Sequence, residues 1–111
     1  MYTIKKTVEF DAAHWLRGYV GKCANLHGHR WRAEVTFSGV VLNDLGLLRD
    51  FNDVKLVVEK FDHKVLNEVP PFDVINPTAE NIARIICEDL GAAMVRVWET
   101  PSSEAVYAPG E

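Results

Sequence analysis

The sequence has no apolar run approaching the ~20 residues that a membrane-spanning helix needs, and only two of its 111 residues are cysteine. The first absence excludes a helical membrane span. The two cysteines, Cys23 and Cys87, stand far apart, and no apolar stretch follows the amino-terminal Met-Tyr-Thr-Ile-Lys-Lys. A disulfide framework and a signal peptide are therefore not expected, and the chain reads as a soluble protein of the cytoplasm. A broad basic surface is missing too: 12 lysines and arginines face 16 acidic residues, for a formal net charge of −4. Direct binding to a nucleic acid backbone is not expected, because little is present to replace its condensed counterions. Short basic clusters such as Lys5-Lys6 and Arg30/Arg32 still suit a small phosphorylated ligand.

Repeats, linkers and low-complexity segments are also lacking, which predicts a single domain over residues 1–111. With 48% hydrophobic and 25% charged residues, the composition is that of an ordinary globular protein. A domain of this size buries roughly two thirds of its unfolded surface, so oligomerisation would help it.

What is present centres on Cys23-Ala-Asn-Leu-His27-Gly-His29 and the run that follows, Arg30-Trp-Arg-Ala-Glu-Val-Thr-Phe37. From His27 to Phe37 the odd positions read His27, His29, Trp31, Ala33, Val35 and Phe37. The even positions Arg30, Arg32, Glu34 and Thr36 are polar. This period of two predicts a half-buried strand with both histidines on its inward face. Upstream, Val8, Phe10, Ala12 and His14 share one parity, so Thr3 to His14 reads as a first strand ending on an inward histidine. Gly18 and Gly21 carry the chain round, and an antiparallel pair would bring His14 close to His27 and His29.

Further on, Asp50 suits a helix N-cap, and Phe51, Val54, Val57, Val58 and Phe61 follow at helical spacing, predicting a helix that ends just before Asp62-His63. Val40-Val-Leu42 reads as a ragged strand or loop, and Val65 to Asn76 as a loop around Pro70-Pro71. Pro77 or Thr78 opens a second helix with Ala79, Ile82, Ala83, Ile86, Cys87 and Leu90 on one face and Gly91 as its stop. Met94 to Glu99 reads as a strand, and Glu104 to Tyr107 as a short strand or tail. The order predicts an α+β domain with helices packed on one face of an antiparallel sheet.

Histidine is a common zinc ligand, and three neutral imidazoles with an open fourth position make a catalytic centre. His14, His27 and His29 are the candidates. A lone inward histidine is more often a hydrogen-bonded core residue, but a close pair with a third on the neighbouring strand favours a metal; a structural Cys-His site that includes Cys23 is an alternative. Cys23, beside Gly21 and Lys22, is placed as base, nucleophile or ligand, whereas Cys87 belongs to the core. Asp62-His63 either complements a helix end or moves protons. Glu99 shares parity with Val95 and Val97, which makes it either a carboxylate waiting for a ligand's donors or a surface residue at a strand end.

Six segments in order carry a resemblance over nearly the whole chain. They are Phe10-Asp-Ala-Ala-His14; Lys22-Cys23-x-x-Leu26-His27-Gly28-His29; Gly46-x-x-x-Asp50-Phe51-x-x-x-Lys55; Asp62-His63-x-x-Leu66-Asn67; Asn76-Pro77-Thr78-Ala79-Glu80-Asn81; and Val97-x-Glu99-Thr100 with Ala105-x-Tyr107. Together they resemble the 6-pyruvoyltetrahydropterin synthase/6-carboxytetrahydropterin synthase family. The resemblance implies a tunnelling fold, with two helices on a four-stranded antiparallel sheet. It also implies that the sheets of three subunits close into a barrel, that two trimers stack into a homohexamer, and that active sites lie between subunits. It implies zinc on His14, His27 and His29, proton transfer by Cys23, Asp62 and His63, and a pterin anchored by Glu99 in the Glu99-Thr100 pair.

The three residues between Cys23 and His27 resemble the bacterial 6-carboxytetrahydropterin synthases of the queuosine pathway. The implied reaction converts 7,8-dihydroneopterin triphosphate to 6-carboxy-5,6,7,8-tetrahydropterin, acetaldehyde and triphosphate. The alternatives are elimination of triphosphate to 6-pyruvoyltetrahydropterin and a non-catalytic zinc- and pterin-binding homologue. Departures from the pattern are Trp15 after the first histidine, a short Trp15 to Lys22 loop, and Arg49 before Asp50-Phe51.

Overall fold

The structure is a computed structural model and describes residues 1–110. Two long strands, β1 (Tyr2–His14) and β2 (His27–Gly39), pair antiparallel in register from Tyr2 opposite Gly39 to His14 opposite His27. Their alternation sorts the side chains as expected. Phe10, Ala12 and His14 of β1 are buried with Trp31, Ala33, Val35 and Phe37 of β2. The opposed rings of Phe10 and Trp31 stack at 6.0 Å with only 7° between their planes, the kind of cross-strand pair that fixes register.

A short strand, β3 (Lys64–Val65), runs parallel to β1 on its outer edge. On the other side β4 (Met94–Thr100) pairs with β2 and β5 (Ser103–Tyr107) with β4, both antiparallel, giving the order β3-β1-β2-β4-β5. The expected four antiparallel strands are all present, and the sheet gains a fifth, parallel one. That strand is two residues long, too short for any periodicity, and it forms because the chain after the first helix turns back against β1.

Helix α1 (Phe51–Val58) opens on Asp50, whose carboxylate accepts from the Asn52 amide at 2.8 Å. It stops three residues short of Phe61, the last apolar position at helical spacing. Residues 59–63 form a turn instead, and Phe61 still reaches the core, 2% exposed, beside Phe10 and Phe72. Helix α2 (Ala79–Leu90) has Thr78 as its N-cap and ends on Gly91, whose φ of +60° is the left-handed conformation that glycine adopts without strain. Its buried face is the expected one, Ile82, Ala83, Ile86, Cys87 and Leu90. Cys87 donates to the Ala92 carbonyl at 3.3 Å, and burial raises its thiol pKa, as befits a core residue. Val40 to Leu42 form no strand; Val40 and Val41 are exposed.

The segment from Leu66 to Asn76 does more than connect. Leu66 and Phe72 are fully buried, and Phe72 stacks obliquely on Phe61 at 5.7 Å. Replacing Phe72 with alanine is expected to lower stability by about 3–5 kcal/mol through lost burial and a residual cavity. Val74→Ala, at a side chain 79% exposed, should change it by less than about 0.5 kcal/mol. Urea unfolding of the two variants checks this, and equal effects would remove the segment from the core.

Candidate metal centre

The β1–β2 register sets His14 opposite His27 and Ala12 opposite His29. The three imidazoles consequently converge: ring centroids lie 4.5 Å apart for His14 and His27, 4.8 Å for His27 and His29, and 5.2 Å for His14 and His29. Trp31 floors the cluster, edge-on to His14 at 4.9 Å and to His29 at 5.4 Å. Glu99 reaches in from β4. One ligand atom from each of His14, His27, His29 and Glu99 falls within 4.8 Å of the others, so the group can hold a metal ion.

Two backbone carbonyls orient the imidazoles. His14 Nδ1 is 2.8 Å from the Pro77 carbonyl oxygen, and His27 Nδ1 is 2.7 Å from that of Asn25. A carbonyl only accepts, so both Nδ1 atoms carry the proton and both Nε2 atoms of the neutral rings present a lone pair. This is the arrangement in which histidine meets a metal. His14 Nε2 and His29 Nε2 are buried and have no hydrogen-bond partner, a costly condition that a bound cation would relieve.

The Pro77 carbonyl is itself anchored. Thr78 caps α2, Asn81 Nδ2 donates to the Asn76 carbonyl at 2.9 Å, and the Asn76 side chain accepts from the Arg17 amide and donates to the Arg17 carbonyl. Asn67, 4% exposed, clasps the Trp15 backbone in the same two-way manner. Arg17 adds bonds to the Ile75 and Phe72 carbonyls. These residues hold the loop after β1 against the approach to α2. Asn67 and Asn76 stood in the recognised segments, but their contacts, like the carbonyls of Pro77 and Asn25, leave no mark in a residue pattern. Arg49 lies over the Phe37 ring at 4.4 Å and donates to the Leu90 carbonyl at the end of α2, away from the histidines.

A second group joins Asp11, Asp62 and His63. His63 is not at a helix end; it occupies a turn at φ +57°, with its amide bonded to the Asp11 carbonyl at 2.6 Å. Asp62 accepts from the Asp11 amide at 2.9 Å and lies 3.0 Å from His63 Nδ1. The Asp11 amide, and secondly His63, hold the Asp62 carboxyl below its ordinary pKa and keep it ionised. Arg30 completes the set, reaching Asp11 at 2.8 Å and Glu9 at 2.9 Å. Cys23 lies in a short 3-10 turn, Lys22–Ala24, with its carbonyl accepting from the Leu16 amide. Among the described residues it belongs to neither group.

Two clefts meet at His29 and Arg30. One of about 600 Å³ runs past Glu9, Arg32, Trp98, Glu99 and Thr100; the other, about 540 Å³, passes Asp11, His63 and Lys64. Each falls within the size of small-ligand sites. Arg32 and Arg96 lie over the Trp98 ring at 4.0 and 4.7 Å.

Fold and site together define a small α+β protein in which a histidine-carboxylate cluster able to hold a metal ion opens into a ligand-sized cleft. The family model described as 6-pyruvoyl tetrahydropterin synthase matches residues 3–110, and the chain belongs to that family. It is 32% identical to a 6-carboxy-5,6,7,8-tetrahydropterin synthase of Haemophilus influenzae, across 96% of this chain and 99% of that one. It is 34% identical to a 6-pyruvoyl tetrahydrobiopterin synthase of Dictyostelium discoideum, across 78% and 73%. The 6-pyruvoyl tetrahydropterin synthase structure of Caenorhabditis elegans superposes with a TM-score of 0.81 at 27% identity, across 98% and 96%. No helix of the structure is long and apolar enough to cross a membrane.

Burial holds the pKa of His14 below the ordinary 6.5, assisted by His27 and His29 and opposed by the Pro77 bond and Glu99. Burial also lowers that of His29, assisted by His27 against Glu99. As pH falls through 6.5 the unfolded imidazoles protonate before the folded ones, so the unfolded state binds more protons and stability falls. Metal-free protein is expected to be less stable toward urea near pH 5.5 than at pH 7.5. At pH 7.5 a divalent transition-metal ion at about 100 times its Kd should add about 2.7 kcal/mol. An unfolding midpoint indifferent to the ion would show that the cluster binds none.

Proposed function

We propose that the protein is a zinc-dependent lyase of queuosine biosynthesis. It converts 7,8-dihydroneopterin triphosphate to 6-carboxy-5,6,7,8-tetrahydropterin, acetaldehyde and triphosphate. One observation carries the reading: His14, His27, His29 and Glu99 bring one ligand atom each within 4.8 Å of one another, with Nδ1 of His14 and His27 held by backbone carbonyls, beside a cleft of about 600 Å³. The name borne by the Haemophilus relative supports the choice of product.

His14, His27 and His29 would hold a zinc ion, which would supply a Lewis acid favouring ionisation of the substrate's side-chain hydroxyls. Glu99, an acceptor when ionised, receives the adjacent ring N–H and amino donors of the pterin edge, with Thr100 beside it. Cys23, as thiolate, takes a proton from the substrate side chain. His63, oriented through Nδ1 by Asp62, exchanges protons at the hydroxyl from its free Nε2.

Among the described residues Cys23 does not join the group of Asp11, Asp62 and His63, and the His63 side chain is 77% exposed. Both facts support an active site shared between subunits of a homo-oligomer, in which sheets of three chains close into a barrel and trimers pair into a hexamer. Closing the sheet would also pair the edges that β3 and β5 leave open.

Zinc-loaded protein incubated with dihydroneopterin triphosphate is expected to release acetaldehyde with the carboxypterin. Cys23→Ala and His63→Ala should each lower kcat by about 10²–10⁴. Mixed and reassembled, the two inactive variants should recover about a quarter of wild-type activity if the site is shared. The Dictyostelium relative's name favours a second reading, elimination of triphosphate to 6-pyruvoyltetrahydropterin. Triphosphate release without acetaldehyde would select it.

A further inference from the structure

Glu99 and the histidines are closer than a pterin anchor requires. Its Oε1 is 3.3 Å from His14 Nε2 and 3.7 Å from His29 Nε2. His14 Nδ1 carries that ring's proton to the Pro77 carbonyl, so in the neutral ring a lone pair faces a carboxylate oxygen. Two acceptors at this distance repel unless a proton or a cation lies between them. The alignment makes no hydrogen bond: His14 Nε2 and His29 Nε2, both buried, are without a hydrogen-bond partner. A metal ion satisfies all three atoms. Ligand atoms about 2.0–2.2 Å from a tetrahedral zinc ion stand about 3.3–3.6 Å from one another, close to the spacing that Glu99 keeps from His14 and His29.

The strand aims the carboxylate. Trp98 pairs with Glu104 and Thr100 with Ser103, so β4 has two steps where β5 has one. Glu99 is the extra residue of this bulge, a device that re-aims a side chain and breaks the ladder. It remains about one third exposed, at 31%, on the wall of the larger cleft, so it can turn from the histidines toward a ligand without unpacking the core.

We propose that Glu99 has two stations, as the fourth protein ligand of the metal in the substrate-free protein and as acceptor for the pterin edge when substrate is bound. The proposal rests on the pterin reading above. Its departure from the metal opens one coordination position, and no electrons or protons change hands. Free protein thereby keeps its metal in a closed set of three imidazoles and one carboxylate, and the ring that frees Glu99 also delivers the side chain to the opened position.

The test uses Co2+ as the probe and visible absorption as the readout, with circular dichroism to confirm that each variant is folded. Metal-free wild type, Glu99→Gln and Glu99→Ala are titrated with Co2+ against a chelator. Glu99→Ala is expected to weaken Co2+ by about tenfold or more, since loss of even an outer partner costs about 10- to 100-fold, and to shift the ligand-field bands. Glu99→Gln, which keeps a neutral oxygen, should fall between. Adding 6-methyl-7,8-dihydropterin, which has the ring donors but no side-chain hydroxyl, should move the wild-type bands toward those of Glu99→Ala.

Identical affinities and spectra for the three proteins would overturn the metal station. A pterin that binds without moving the wild-type bands, or fails to bind, would overturn the exchange. Acetaldehyde formation by a wild type whose Co2+ spectrum matches that of Glu99→Ala would sink this proposal and leave the proposed function standing. Absence of acetaldehyde with the band shifts intact would do the reverse.

Discussion

The antiparallel register of β1 on β2 is the constraint on which the centre depends. A strand shifted by one residue turns every side chain to the opposite face. Such a slip would carry His27 and His29 away from His14 and expose Trp31, Ala33, Val35 and Phe37 together. Burial of that apolar row and convergence of the imidazoles are therefore one condition. The stacked pair of Phe10 and Trp31, a few residues from the histidines, ties the energetics of the core directly to the geometry of the site.

Register brings the imidazoles together, but the loops decide what they present. Pro77 lies just before α2 and Asn25 just before β2, and each lends a carbonyl to one Nδ1. The asparagine clasps at Trp15 and Arg17 then tie the loop after β1 to the segment that supplies Pro77. Buried polar atoms are tolerable when every donor finds an acceptor. Here only a few atoms are left over, and two of them are the Nε2 atoms of His14 and His29.

Much of this was legible in the sequence because a period of two survives in long strands. The inward placement of His14, His27 and His29 followed from parity against Phe10, Trp31 and Val35, and the α2 face from helical spacing. What escaped was local and nonperiodic. β3 has two residues and no pattern. α1 stops at Val58 because Phe61 reaches the core from a turn as well as from a helix, so apolar spacing overstated its length. Phe72 is buried from a segment whose prolines marked it only as irregular. Parity left Glu99 open between an inward and a surface position, and its approach to the histidines depends on a bulge between β4 and β5, which is a property of two strands together.

Asp11 and His14 belong to the same strand, three residues apart. At about 3.3 Å per residue, β1 therefore sets the Asp11 backbone, to which the Asp62-His63 turn is pinned, about 10 Å along the strand from the backbone of His14. Strands in the middle of a sheet do not stretch. β1 acts as a ruler, so within one chain the distance from the histidine cluster to the Asp62-His63 turn is written into the framework.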